Sequence, residues 1–121
     1  MISRIINPII VNATGMLPGV SMPTISFGNN AIQFEDHPLM TFGAITFGNT
    51  VSYANGFGPN KNYDSYGRET NTGLHEKAHT YQYQLLGPLF LPIYFSSGGI
   101  SARNPWEQAA DNFALGGSWM P

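Results

Sequence analysis

The chain contains no cysteine. That absence excludes a disulfide framework, a thiolate nucleophile and a cysteine-ligated zinc or iron–sulfur site, and it leaves the redox compartment open. Charge is scarce as well: five basic and seven acidic residues make up 10% of the 121, where about a quarter is usual. With a net charge of −2 and no basic run, nothing is available to displace counterions from a phosphate backbone, so no nucleic-acid partner is expected. Long hydrophobic runs are missing too. The longest, Leu85 to Phe95, is broken by Gly87, Pro88 and Pro92 and falls far short of the roughly 20 residues of a transmembrane helix. The opening Met1–Val11 has one positive side chain and an apolar stretch interrupted by Asn7 and Pro8, a poor signal peptide. The expectation is a chain with no transmembrane segment and no signal peptide, soluble and cytoplasmic in the cell that makes it.

What is abundant points to order. Apolar residues reach 42% and aromatics 13%, against the low-aromatic composition of disordered chains. The length suits one domain over 1–121 with a modest core. Fourteen glycines and nine prolines favour short elements joined by many turns. Residues 1–70 read as β-rich and 71–116 as helical. Thr24–Phe34 and Ala44–Tyr53 resemble one another, each a β-rich run, a Gly-Asn pair and a second alternating run. They are expected as hairpins or bent strands of one small sheet, and Tyr53–Arg68 as a loop. A helix is expected from about Thr72 to Leu86, capped by Asn71 and stopped by Gly87-Pro88. Its wheel places Leu74, Ala78, Tyr81 and Leu85 on a core stripe and Lys77, Thr80 and Gln84 on a solvent stripe. His75 and His79 lie on a third, with Gln82 or Tyr83 beyond them and Glu76 beside. A second helix is expected over Pro105–Leu115, with Asn104 as N-cap and Gly116-Gly117 as its end.

The chemistry lies in His75-Glu76-Lys77-Ala78-His79, an HExxH sequence. Residues four apart on a helix share a face, so two imidazoles can bind one metal ion. The glutamate between them sits to the side, where it can take a proton from water rather than bind the ion. With three histidines and four glutamates in the chain, random placement yields roughly 0.002 such matches, so the motif outweighs ordinary helical histidines. A metal needs a third protein ligand, and the second helix offers Glu107, with Asp111 four residues later. Glu107 could instead close a capping box on Asn104, and Asp111 could be a surface carboxylate or itself the third ligand. His37, between Asp36 and Pro38, reads as a turn residue.

HExxH followed by a later helix bearing Glu-x-x-x-Asp resembles the gluzincin group of zinc metallopeptidases. The resemblance implies zinc held by His75, His79 and Glu107, with Asp111 hydrogen-bonding the outer nitrogen of a ligand histidine. A narrower resemblance spans about residues 44 to 114. The run from His75 to Pro92, followed by Asn104-Pro-Trp-Glu107, is similar to small metallopeptidase domains at the tails of bacterial polymorphic toxins and secretion-system effectors. Many such domains carry glycine where this chain has Ala78, a small residue that also suits a helix.

The expected fold is α+β: a small, mainly antiparallel sheet on the HExxH helix and a second ligand-bearing helix, a minimal zincin-like arrangement. Ala44–Tyr53 is the candidate for an edge strand that pairs with extended substrate. The expected activity is zinc-dependent hydrolysis of peptide bonds with Glu76 as general base. Tyr83, Tyr94 and Arg103 are candidates for stabilising the oxyanion. The toxin resemblance implies an effector delivered outside the producer or into the periplasm of a target cell, with an immunity protein or secretion carrier as partner beside its peptide substrate. Two alternatives stand: a zinc-binding adaptor or structural module without catalysis, and a housekeeping processing peptidase.

Overall fold

Asparagine tolerates the left-handed backbone region better than most residues, and the first hairpin turns on that property. In the computed structural model, which describes residues 22–40 and 43–121, β1 (Thr24–Gly28) and β2 (Ala31–Glu35) are antiparallel. Asn29 and Asn30 join them, both at positive φ (50° and 60°), as a I′ turn requires. The second hairpin joins β3 (Ala44–Phe47) to β4 (Thr50–Tyr53). There Gly48 takes the positive φ, at 57°. The two hairpins lie side by side in the order β1-β2-β4-β3, with β2 and β4 parallel at the centre. Phe34, Val51 and Tyr53 on these central strands are fully buried, while β3 is left as an edge.

The stretch expected as a loop holds a third hairpin, β5 (Asn62–Ser65) and β6 (Arg68–Asn71). Its turn is Tyr66-Gly67, both at positive φ. An exposed tyrosine in that conformation is uncommon, and the hairpin lacks the apolar alternation that signals strands, because it contributes polar side chains to the site. Residues 1–21, including the opening stretch weighed as a signal peptide, lie outside the described residues.

Helix α1 runs Thr72–Leu86. The Asn71 side chain accepts a hydrogen bond from Leu74 N–H (2.9 Å), and Gly87 caps the other end at φ 54°. Both ends fall where the capping residues place them. A 3₁₀ turn, Gly87–Leu89, leads into a short helix α2 (Phe90–Ser96), an element not expected from the sequence. Helix α3 spans Pro105–Ala114 behind its N-cap Asn104. The fold is thus α+β, with mostly antiparallel sheets and α1 lying between β3 and α3.

The wheel of α1 needs correction. Ala78 is fully buried as expected, but Leu85 is 53% exposed, and Thr80, assigned to solvent, is fully buried. The helix is covered on several sides, so Glu76, His79 and Gln82 are buried as well. Thr80 is satisfied by donating to Lys77 O (2.6 Å) and accepting from Asn30 Nδ2 (3.0 Å) at the first hairpin turn. The Leu85–Phe95 run likewise divides: Phe90 and Tyr94 are buried, while Leu89 and Phe95 face outward.

Gly73 in the first turn of α1 faces the segment around Pro59. A Cβ there would meet Pro59 O at 2.5 Å and Asn29 Nδ2 at 2.7 Å. Glycine to alanine inside a helix ordinarily stabilises by about 1 kcal/mol. Here the clash reverses the sign, and Gly73→Ala is expected to destabilise by about 1–3 kcal/mol, read as a lower urea midpoint with unchanged slope.

Candidate metal centre

One turn of α1 and the first turn of α3 bring three donor atoms to a common point. Glu107 Oε1 lies 2.8 Å from His75 Nε2 and 3.1 Å from His79 Nε2, and the two imidazole nitrogens are 3.1 Å apart. Donors about 2.05 Å from a tetrahedral ion would be about 3.3 Å apart, so an ion would spread these atoms by only a few tenths of an ångström. His75, His79 and Glu107 therefore form a group that could hold a metal ion. The imidazoles are nearly enclosed, with side-chain exposures of 12% and 8%.

The capping box on α3 does not form. Asn104 Oδ1 accepts from Trp106 N–H (3.0 Å), and Asn104 N–H donates to Ser101 O (3.0 Å), leaving Glu107 free to face the histidines. Tyr94 on α2 donates to Glu107 Oε2 and fixes the far oxygen of the carboxylate. Asp111 stands beyond the trio. Its Oδ1 accepts from His75 Nδ1 (2.7 Å) and from Tyr63 OH, and its Oδ2 accepts from Ser65 Oγ (2.6 Å). This is the outer-nitrogen contact that the gluzincin resemblance implies for Asp111, and Tyr63 and Ser65 on β5 hold the aspartate in turn.

His79 has its own support in Gln82, which lies one turn along the same face. Gln82 Oε1 accepts from His79 Nδ1 (2.8 Å), and the Gln82 amide protons go to Trp106 O (3.1 Å) and Trp119 O (2.9 Å). With both amide protons committed to carbonyls, the side chain can only offer its oxygen to the imidazole. Both histidines therefore carry the proton on Nδ1 and aim Nε2 inward, as metal ligation requires. The sequence placed Gln82 on the histidine stripe without assigning its role. Tyr63 and Ser65 had no signal, because their hairpin was not legible.

Glu76 is buried beside the trio rather than within it. Its Oε2 is 3.8 Å from His75 Nε2, and its Oε1 accepts from Thr46 Oγ1 on the edge strand β3 (2.6 Å). Of the oxyanion candidates, Tyr83 and Tyr94 line the cavity over the site, whereas Arg103 is exposed and outside it. Burial and the nearby Glu76 charge push the Tyr83 phenol up to about 12, so its hydroxyl keeps its proton at neutral pH. His37 is buried in a turn, its Nδ1 accepting from Leu39 N–H (3.2 Å), away from the cluster.

Burial disfavours the charged forms of these groups, but their mutual hydrogen bonds prevail. Glu107 is held well below the usual carboxylate range by His75 and His79, and Asp111 is lowered by His75, Ser65 and Tyr63. His75, against the opposing effect of burial, is raised to about 10 by its bonds to Asp111 and Glu107. No protein-family model, curated protein or solved structure matches this chain.

Two outcomes follow from this geometry. Glu107→Ala is expected to abolish tight binding of a divalent ion, and Asp111→Ala and Gln82→Leu each to weaken it about 10–100-fold, with added zinc as the probe in competition with a chromophoric chelator. Full zinc retention in Glu107→Ala with metal loss in Asp111→Ala would exchange the two roles. The second concerns pH. Below its raised pKa, His75 carries a proton that a metal must displace. Zinc uptake by chelator-treated protein at pH 7 is expected to release about one proton from the site, with apparent affinity rising as pH increases toward 10. Calorimetry in buffers of different ionisation enthalpy measures the release.

Proposed function

We propose that the protein is a zinc-dependent hydrolase of peptide bonds. The observation that carries this reading is the position of Glu76, a buried carboxylate that borders the three converging donors without being one of them. A structural metal site closes its coordination with protein ligands, whereas two imidazoles and one carboxylate leave a position open, and that donor set suits zinc. When bound, zinc supplies Lewis acidity toward a carbonyl and an acidified water at the open position.

The chain's own residues do the rest. Glu76 Oε1 is tied to Thr46, which leaves Oε2 to accept a proton and return it to the departing amine. Tyr83, whose hydroxyl has no hydrogen-bond partner among the described residues, donates to the substrate carbonyl oxygen as negative charge develops there. Asp111 and Gln82 keep the imidazoles in register through the cycle. β3 is the edge of its sheet and runs along the cavity, so its outer backbone groups can pair with an extended substrate.

Glu76→Gln is expected to keep zinc and the fold while reducing hydrolysis of denatured casein by orders of magnitude. Loss of metal in that variant would make Glu76 a ligand. A zinc-loaded wild type with no turnover on any substrate would leave a metal-holding structural module. The same pair of proteins tests the effector setting that the toxin-tail resemblance suggests: wild type directed to the bacterial periplasm slows growth, and Glu76→Gln at matched expression does not.

A further inference from the structure

Above the metal-ligating trio lies a cavity of about 780 Å³. One wall is aromatic and starts at a ligand: the His79 ring is 6.2 Å from Phe90 and 6.3 Å from Tyr94, centre to centre. Phe90 continues the wall to Tyr83 at 4.4 Å. The rim carries large apolar groups that face outward, with Phe95 60% and Ile100 85% exposed. Such groups bury apolar area only when something enters the cavity.

Apart from the two imidazoles and any ion they hold, the ionisable side chains that carry charge around this space are acidic. None of the described basic residues, Lys61, Arg68, Lys77 and Arg103, lines the cavity. Of the carboxylates that do, Glu107 is bonded to the histidines and Tyr94, Asp111 to His75, Tyr63 and Ser65, and Glu76 to Thr46. The last, Asp64, is exposed on the β5–β6 hairpin and accepts from Gly67 N–H in its own turn (3.3 Å). An acidic side chain entering the aromatic part of this space would lose water with no basic side chain to meet it.

We infer that the cavity selects an extended peptide segment bearing a bulky uncharged apolar side chain next to the scissile bond and disfavours an acidic one there. The inference rests on the peptidase reading above and assigns its substrate class. Phe90 and Tyr83 form the wall that receives the side chain, and Phe95 and Ile100 border it at the rim.

The test uses zinc-loaded protein and acetylated, amidated heptapeptides that differ only at the central residue (Phe, Leu, Ala, Asp or Lys). Cleavage is followed by mass spectrometry, and binding to Glu76→Gln by fluorescence anisotropy of the labelled peptides. Phe and Leu peptides are expected to exceed Ala by about 30-fold in both measurements, and Asp and Lys to fall below Ala. Phe95→Arg, a change at an exposed position, should weaken the Phe preference and improve the Asp peptide about tenfold. Equal binding and cleavage across the series overturns the inference and leaves the peptidase reading intact. Apolar preference in binding without cleavage by wild type upholds the inference for the pocket and removes the peptidase reading.

Discussion

An imidazole offers a lone pair to a metal from one nitrogen only while the other keeps its proton, and that proton must itself be accepted when the ring is buried. Two such protons organise this molecule. The one on His75 is received by Asp111, and Asp111 in turn needs Tyr63 and Ser65 from the β5–β6 hairpin. The one on His79 is received by Gln82, and Gln82 needs carbonyls from Trp106 and from Trp119 near the C-terminal end. Parts of the chain some 56 residues apart, Tyr63 and Trp119, thus bear on the same pair of rings. The hairpin and the tail hold no donor of the trio, yet they decide which way each donor points.

A similar division of labour frees the third donor. A glutamate at the third position after an N-cap asparagine ordinarily has its own helix to serve. Here the cap is self-sufficient: Asn104 bonds Trp106 N–H with its side-chain oxygen, and its amide group donates to Tyr94 O and Gly99 O. The same residue that releases Glu107 therefore docks the end of α2 onto α3. That docking carries Tyr94, whose hydroxyl holds Glu107 from the outside. Aromatic wall, cap and Glu107 are one connected unit, so a change in the α2–α3 connection would be felt at the three converging donor atoms.

Legibility in the sequence followed the range of the interactions. The ends of α1 and α3 are set by contacts within three residues, Asn71 to Leu74 and Asn104 to Trp106, and the sequence located them well. HExxH is a spacing rule on one helix, so His75, Glu76 and His79 were legible, and Glu107 and Asp111 could be named once a second helix was placed. What escaped depends on distant partners. The burial of Thr80 needs the Asn29-Asn30 turn fifty residues earlier, and the β5–β6 hairpin is polar because Tyr63 and Ser65 point at Asp111. The parallel contact of β2 with β4 has no local signal at all, since each hairpin alone reads as purely antiparallel. The α1 wheel failed for the same reason: it assumes that the buried side of a helix is its apolar side, and this helix buries its chemistry.

That inversion has an energetic consequence. Glu76, Glu107 and Asp111 gather three carboxylates around two imidazoles in a small, nearly closed space. Like charges this close are unfavourable unless cations intervene. A proton on His75, held between Asp111 and Glu107, is one such cation and accounts for the elevated basicity of that ring. A divalent ion at the common point of His75, His79 and Glu107 is a stronger one, and its binding energy adds to the stability of the fold that positions the ligands. Proton and ion compete for Nε2 of His75, whereas the Nδ1 bonds to Asp111 and Gln82 are compatible with either. The supports of the site therefore need not rearrange if one cation replaces the other, so the three donors are aligned whether or not an ion is held.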